Sequence, residues 1–394
     1  MEGVAASNLS GNTQNTTLAS AVEAAWSRAV ASAEAAGISR QAIAEQKASS
    51  TLWAAPPSVE LSHRNDRLQN NNGVRETEVA LAVPIWLPGQ KSAKQLAADS
   101  LSSLSLAAEA EGKLRIAEIV RELHWQIAEL QASQTLSKQQ TSIFAAIASD
   151  VDKRVKAGDL AKADALAAQG ELLSAQAAES QAETQLNAAK RQWTALTGLA
   201  QTPDATLSNV ESASPRKLDK HPEILRVEQQ VDLAQKRLNL VLKSNRSAPE
   251  LITKLRQDLP GRSQGSAYSL GLAVRIPFGT DDRNAPLQAA AWTELEVAQS
   301  KEQVLRAQLS ARMESAKAAA QASQLQLQKG SEKATLLNER AKLIRASFNA
   351  GETSLPELLR AASAAAQADY SAARQEAAFG LARARLQQAY GQLP

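Results

Sequence analysis

Large apolar residues alternate with small or polar ones in two stretches of the chain. In residues 268–278 the even positions Tyr268, Leu270, Leu272, Val274, Ile276 and Phe278 are large, and the odd ones are small or polar. In residues 79–85 the odd positions Val79, Leu81, Val83 and Ile85 are large, and the even ones are small. Period 2 over about nine to eleven residues is a strand with one apolar face, long enough to cross a bilayer when tilted. Residues 58–64 and 250–256 alternate less cleanly and read as partner strands, each joined to its neighbour by a polar turn. Two hairpins packed on a helix in water would give a similar pattern.

Elsewhere the period is helical. Residues 91–156 contain no Pro and a single Gly, Gly112, and residues 287–349 contain no Pro. At ~1.5 Å per residue each such helix is on the order of 95–100 Å long. Ile116, Val120, Leu123, Ile127 and Leu130 follow heptad-like steps, and the pairs Leu336/Leu343 and Leu337/Ile344 stand seven apart. Coiled-coil packing with narrow seams and wet remaining faces follows.

The pattern occurs twice. The stretch Leu81 to Gly89 resembles Leu272 to Gly279, and Ala157-Gly158-Asp159 with Asp164 resembles Ala350-Gly351-Glu352 with Glu357. Ala55-Pro56 and Arg191 through Leu199 have matching counterparts downstream, all at offsets of about 191 to 194 residues. The first repeat is predicted over 17–200: a helix over 17–51, strands at about 58–64 and 78–86, a long helix over 91–156, a tip turn at 157–161 and a helix over 162–198. A linker follows at 201–221, where Pro203, Pro215 and Pro222 interrupt helix. The second repeat spans 222–394: a helix over 222–244, strands at about 250–256 and 267–278, a long helix over 287–349, a tip turn at 350–354 and a helix over 355–391.

Composition sharpens this picture. The chain of 394 residues has 79 alanines, 3% aromatic residues and no cysteine. Alanine has high helix propensity and little bulk, which disfavours a thick aromatic core and favours closely packed long helices. A net charge of +3 gives no indication of nucleic-acid binding. Without Cys there is no disulfide, thiolate metal site or lipid-modified cysteine. The segment 1–7 lacks a basic and apolar leader, so a mature exported form without its signal peptide is expected. Four strands per chain leave two edges, which lipid does not tolerate, so other copies must complete the sheet. Two copies supply eight strands and three supply twelve. The expected fold class is therefore an α+β membrane protein with two tandem repeats, each a β-hairpin with long antiparallel coiled-coil helices.

The doubled order of helix, strand, strand, long helix, Gly turn and helix resembles the TolC-like outer membrane efflux proteins over residues 17–393. So do Gly158 followed by Asp164 and Gly351 followed by Glu357, a Gly with an acid six residues on. Leu87-Pro88-Gly89-Gln90-Lys91 is similar to the heavy-metal branch, the partners of cobalt-zinc-cadmium or nickel-cobalt resistance pumps. The resemblance implies a homotrimer with a 12-stranded barrel in the outer membrane of a Gram-negative bacterium and a 12-helix periplasmic tunnel. It implies docking to a periplasmic adaptor and an inner-membrane pump of the resistance-nodulation-division type, with passive exit of divalent metal cations. Drug efflux and type I protein secretion are the alternatives within the same fold, and a structural coiled-coil protein lies outside it. Many relatives carry a lipidated N-terminal Cys, which this chain lacks.

Candidate residues follow. Gly158 and Gly351 are free to take the positive φ of a reversal and by resemblance form the periplasmic tip. Asp164 and Glu357, with Asp159 and Glu352 beside them, either ring the axis of a trimeric gate or serve as first-turn carboxylates favoured by the helix dipole. Thr353, Arg360 and Phe348 stand near positions of the family's other gate groups. Trp53, Trp86 and Phe278 fall at strand ends, either as an interfacial girdle or as packing at strand–helix joints. His63, His124 and His221 lie in unrelated segments, and no spacing of metal ligands, nucleophile or phosphate loop occurs, so neither a tight metal site, a cofactor nor an enzyme is expected.

Overall fold

The computed structural model describes residues 16–205, 218–278 and 281–394. The elements are α1 (Leu18–Arg28), α2 (Val30–Ser50), β1 (Ser58–Asn65), β2 (Arg75–Pro84), α3 (Gln90–Ala157), α4 (Lys162–Thr197), a 3-10 turn (Leu218–Lys220), α5 (Pro222–Lys243), β3 (Glu250–Leu259), β4 (Ala267–Arg275), α6 (Asp281–Asn349) and α7 (Leu355–Ala389). Helices dominate and one small antiparallel sheet accompanies them. Most of the expected linker at 201–221, and the segment from which a mature N-terminus is expected, lie outside the described residues.

Several boundaries differ from expectation. One helix is predicted over 17–51, but α1 ends where Ala29 takes extended backbone at ψ 143°. No Gly or Pro marks that site; α1 buries Trp26 against Gly112, while Ala42 of α2 packs with Leu101 and Leu233. The strands β2 and β4 stop at Pro84 and Arg275, short of 86 and 278. Pro84 has no N–H of its own for the ladder, though the Ile85 N–H still reaches the Pro249 carbonyl at 2.7 Å, and Pro277 has none to carry β4 on. At the other end β2 and β3 reach further into the turns, to Arg75 and Leu259. Arg256 there bridges Glu76 at 3.1 Å and Asp258 at 2.7 Å. Helix α6 starts at Asp281 with Pro286 inside it. Pro286 is the sixth residue of α6, so the bond that an N–H there would make to the Asp282 carbonyl is missing.

The chain forms two compact units. The first holds Ala33–Ala110 and Pro222–Ala307, and so contains the sheet. Strand order is β1-β2-β3-β4, every neighbour antiparallel. The register aligns Val59, Leu81, Thr253 and Leu272 in one row across the sheet, and Leu61, Val79, Leu255 and Leu270 in the next. Side chains in a row share a face, so all four strands turn their apolar residues the same way. That face is uncovered: Leu272 is 75% exposed and Leu61 72%. The opposite face carries a ladder of charges, Lys254 to Glu78 at 2.7 Å, Arg256 to Glu76, and Arg275 to Glu250 at 2.8 Å. Among the described residues, β1 and β4 have no partner strand on their outer edges. Helical packing in this unit centres on Ala234, Leu238, Ala291, Leu295 and Ala298.

The second unit holds α1, α4, α7 and the remainder of α3 and α6. Its seams are built on small residues. In α4 the buried Ala168, Ala175, Ala182 and Ala189 are each seven apart, with Leu186 and Trp193 on the same side. Ala361, Ala365 and Ala368, then Ala377, Gly380 and Ala384, continue this pattern in α7. Two mid-helix glycines seat tryptophans. A Cβ at Gly112 would lie 2.9 Å from the Trp26 ring, and one at Gly380 would overlap the ring of Trp125.

Beside Trp125 lies a buried polar cluster. Arg121, 2% exposed, donates from Nη1 to Gln388 Oε1 at 2.7 Å and from Nη2 to the Gln392 carbonyl at 2.8 Å. Gln388 Nε2 donates to the Leu114 carbonyl at 2.8 Å. Burial pulls the Arg121 guanidinium down to about 10, opposed by Glu118. His124 meets Trp125 edge-on at 5.5 Å, and burial pulls its imidazole down to about 4.

Two outcomes test this packing. Gly380→Ala should lower the unfolding free energy by about 1–3 kcal/mol, while Gly170→Ala, in open space within α4, should leave it unchanged or raise it by up to about 1 kcal/mol; thermal denaturation of the purified protein compares them. The folded-state value of His124 lies below the unfolded value of about 6.5, so the unfolded chain takes up the proton first on acidification. Its contribution is complete above pH ~6.5 and is lost between pH ~6.5 and ~4, to a total of roughly 3 kcal/mol. The stability difference between wild type and His124→Gln should change across that window; a difference flat with pH would refute the assignment.

Candidate functional site

The sequence places the candidate site at the two turns between long helices, and both turns lie in the second unit. They are built alike. Helix α3 ends with the Gly158 N–H bonded to the Val155 carbonyl at 3.1 Å and the Asp159 N–H to the Arg154 carbonyl at 2.9 Å. Helix α6 ends with Gly351 bonded to Phe348 and Glu352 to Ser347, each at 3.0 Å. These are Schellman caps, and Gly158 at φ +91° and Gly351 at φ +82° supply the left-handed residue that the motif demands. A side chain at either position would strain the backbone.

Each acidic candidate has a local environment of its own. Asp164 accepts the Ala161 N–H at 3.1 Å and so closes the first turn of α4. Glu357 in the first turn of α7 faces Arg340 at 3.4 Å. Glu352 lies 3.4 Å from the Ser347 hydroxyl, which in turn accepts from Thr353 at 2.6 Å. Asp159 is exposed, with no side-chain partner among the described residues, and Arg360 is likewise exposed.

A residue that sequence reasoning did not single out joins the two turns. Arg154 pairs with Asp150 at 3.1 Å on its own helix. It also donates to the Phe348 carbonyl at 3.3 Å and approaches Asn349 Oδ1 at 3.5 Å. Its guanidinium sits 4.7 Å from the centre of the Phe348 ring. Beneath this link Phe144, Ile147 and Val151 of α3 pack with Phe348, Leu355, Leu358 and Leu359 from α6 and α7. An Asp four residues before an Arg is a visible helical pair. Nothing in the sequence marks that this Arg reaches a carbonyl nearly two hundred positions away.

The aromatic candidates belong to the first unit. The Trp86 indole donates to the Thr51 carbonyl at 3.2 Å, and Lys94 Nζ stands 5.8 Å from its ring. Trp53 is 40% exposed and Phe278 92% exposed. In the Leu-Pro-Gly-Gln-Lys stretch, Gln90 accepts the Leu87 N–H at 3.1 Å and donates to Ser244 Oγ at 3.0 Å, tying the start of α3 to the end of α5. The stretch therefore has a structural use at the strand–helix joint.

No protein-family model matches the chain, and no curated protein matches its sequence. Solved structures match over nearly its whole length. The outer membrane protein VceC from Vibrio cholerae is 16% identical, with 95% of this chain and 96% of that one covered and a TM-score of 0.75. CusC, whose structures describe transmembrane channel formation, is 14% identical over 95% and 92% of the two chains, with a TM-score of 0.77. The CmeC outer membrane channel of Campylobacter jejuni is 13% identical over 95% and 85%, with a TM-score of 0.76. The chain thus has the fold of these outer membrane channels.

If Arg154 joins the two turns, Arg154→Ala should weaken the local structure by about 1–2 kcal/mol. Hydrogen exchange of the Gly351 and Glu352 amides should speed up roughly tenfold while amides near Gly112 stay unchanged. Equal exchange at both sites in wild type and variant would show that the link contributes nothing.

Proposed function

We propose that the chain is one subunit of an outer membrane efflux channel, a passive exit duct for cargo delivered by an inner-membrane pump and a periplasmic adaptor. The observation that carries this reading is the four-stranded sheet with one exposed apolar face, one charged face and two open edges. In lipid such edges must be paired, and three copies of the chain would close twelve strands. The likeness in fold to outer membrane channels over 95% of the chain supports it independently. In this reading the chain is two tandem copies, 17–200 and 222–394, joined by 201–221.

The site residues then take the following roles. Gly158 and Gly351 turn the helical hairpins at the periplasmic tip, and Asp159, Asp164, Glu352 and Glu357 bring negative charge to it. Three copies would place six carboxylates from Asp164 and Glu357 near the axis, where they attract cations and repel one another. The Arg340 partner of Glu357 offsets part of that charge. Trp53, Trp86 and Phe278 would sit at the membrane interface, where an aromatic ring satisfies both apolar and polar surroundings. The cargo we propose is a divalent heavy-metal cation, supported by the resemblance of Leu87 to Lys91 to the heavy-metal branch of the TolC-like proteins.

Purified in detergent, the protein should be a trimer that inserts into planar bilayers and conducts. Asp164→Ala combined with Glu357→Ala should raise or alter single-channel conductance and reduce cation preference. A chain that stays soluble and monomeric without detergent would sink the channel reading. Unchanged conductance and ion preference in the double variant would remove the gate assignment alone.

A further inference from the structure

We infer that the turn-side rim of the sheet binds net-anionic phosphate headgroups of membrane lipid through Arg67, Arg75 and Arg262. The inference rests on the proposal that the apolar face of the sheet lies in lipid, and it names the lipid chemistry met at one edge of that face.

The apolar face changes character along the strands. Leu251 and Val274, then the rows of Leu81 and Leu272, and of Val79 and Leu270, are apolar or nearly so. The next row is polar throughout: His63, Thr77, Gln257 and Tyr268. Its members bond to each other across the strands, His63 Nδ1 with Thr77 Oγ1 at 3.0 Å and Gln257 Nε2 with the Tyr268 hydroxyl at 3.0 Å. Beyond it the row is Asn65, Arg75 and Leu259. From Tyr268 to Arg275, where β4 ends, is seven residues, or ~23 Å along the strand at ~3.3 Å per residue. At a tilt of ~40° this covers about 18 Å of height, the greater part of the ~25 Å apolar band of an outer membrane barrel. Tyr268 and its row therefore mark the level at which hydrocarbon gives way to headgroups.

Positive charge is in excess just beyond that level. Arg67, Arg75 and Arg262 are exposed and have no side-chain partner among the described residues. The acids close to them are engaged. Glu76 and Asp258 pair with Arg256 and Glu78 pairs with Lys254, while Asp66, whose Oδ2 accepts the Asn72 N–H at 2.6 Å, keeps its charge and offsets one of the three arginines. The two turns that carry the arginines touch. The Arg262 N–H donates to the Asn72 carbonyl at 3.2 Å, and its Cγ lies 2.6 Å from where a Gly73 Cβ would be, so that only Gly admits it there. This places Arg262 against Gly73, two residues before Arg75 in the chain, beside the turn that holds Arg67. Arg75 itself lies on the apolar face, in register with Asn65 and Leu259. A planar guanidinium takes two phosphate oxygens at once, and it is the side chain suited to an anionic headgroup at the end of an apolar band. Neutral lipid would leave that excess positive charge without counter-ions.

The test uses the full-length protein and an Arg67→Gln, Arg75→Gln, Arg262→Gln variant. Both are reconstituted into phosphatidylcholine vesicles doped with lipid A or with dephosphorylated lipid A, then re-extracted, and bound lipid is measured by mass spectrometry. Wild type should retain the phosphorylated lipid on the order of tenfold better than the triple variant, and neither should distinguish itself on the dephosphorylated one. Bilayer conductance should be the same for both, which shows that the variant is folded and inserted. Equal retention by two inserted, conducting proteins overturns the inference and leaves the channel reading intact. Loss of the wild-type preference in the presence of inorganic phosphate alone would assign the arginines to a free anion and also overturn it. Failure of wild type to insert in any vesicle overturns the membrane reading beneath it.

Discussion

The backbone groups along the outer edges of β1 and β4 set the terms for the rest of the molecule. In water they could bond to solvent, but the sheet they bound turns rows of Leu and Val outward with nothing over them. In the proposed channel, burying that face in hydrocarbon would relieve the exposure and withdraw solvent from the edges at the same step. There the sheet must then be closed, and further copies of the chain would supply the missing strands. The charged face answers a different demand. Its acids and bases stand opposite one another across strands, so the face is wetted and ionic while carrying little uncompensated field.

The helices meet a related constraint with another device. In the proposed channel, a wall of long helices around a water-filled interior would have no thick core in which large side chains can interdigitate. Close approach through small residues replaces it. Alanines at every seventh position of α4 bring the neighbouring helices near, and Gly112 and Gly380 let single tryptophans approach a helix backbone closely. The few large aromatics thus do the work of positioning where two or three helices meet. At such a place the chain also tolerates Arg121 and His124 in the interior, the first tied by hydrogen bonds to Gln388 and to the Gln392 carbonyl, the second kept neutral by burial.

At the turns between long helices, capping chemistry and functional chemistry share residues. Asp164 closes a helix turn with the same carboxylate that the proposed gate uses, and Glu357 shares its charge with Arg340. A local cap does not consume a negative charge, so the two uses are compatible. The Arg154 link to Phe348 adds a connection between the ends of α3 and α6, at the place where the proposed tip would have to move.

The alternation of residues 268–278, the long Pro-free stretches and the glycines of the turns were legible because they are local. Period 2, period 3.5 and the need for positive φ each follow from backbone geometry within a few residues. The break at Ala29 was not legible, since that residue carries no breaker and the helix divides because its halves pack on different partners. Nor were the strand ends, which depend on ladders such as Glu76 with Arg256 across nearly two hundred positions. The seating of Trp125 on Gly380 and the reach of Arg154 are likewise long-range. The sequence alone determined which stretches are helix or strand and which faces are amphipathic, because these are written in short-range periodicity. The tertiary structure decided which rows align into one apolar face and which charges cancel. It also decided which residues join the turns, because register and packing are settled only when distant segments compete for the same partners.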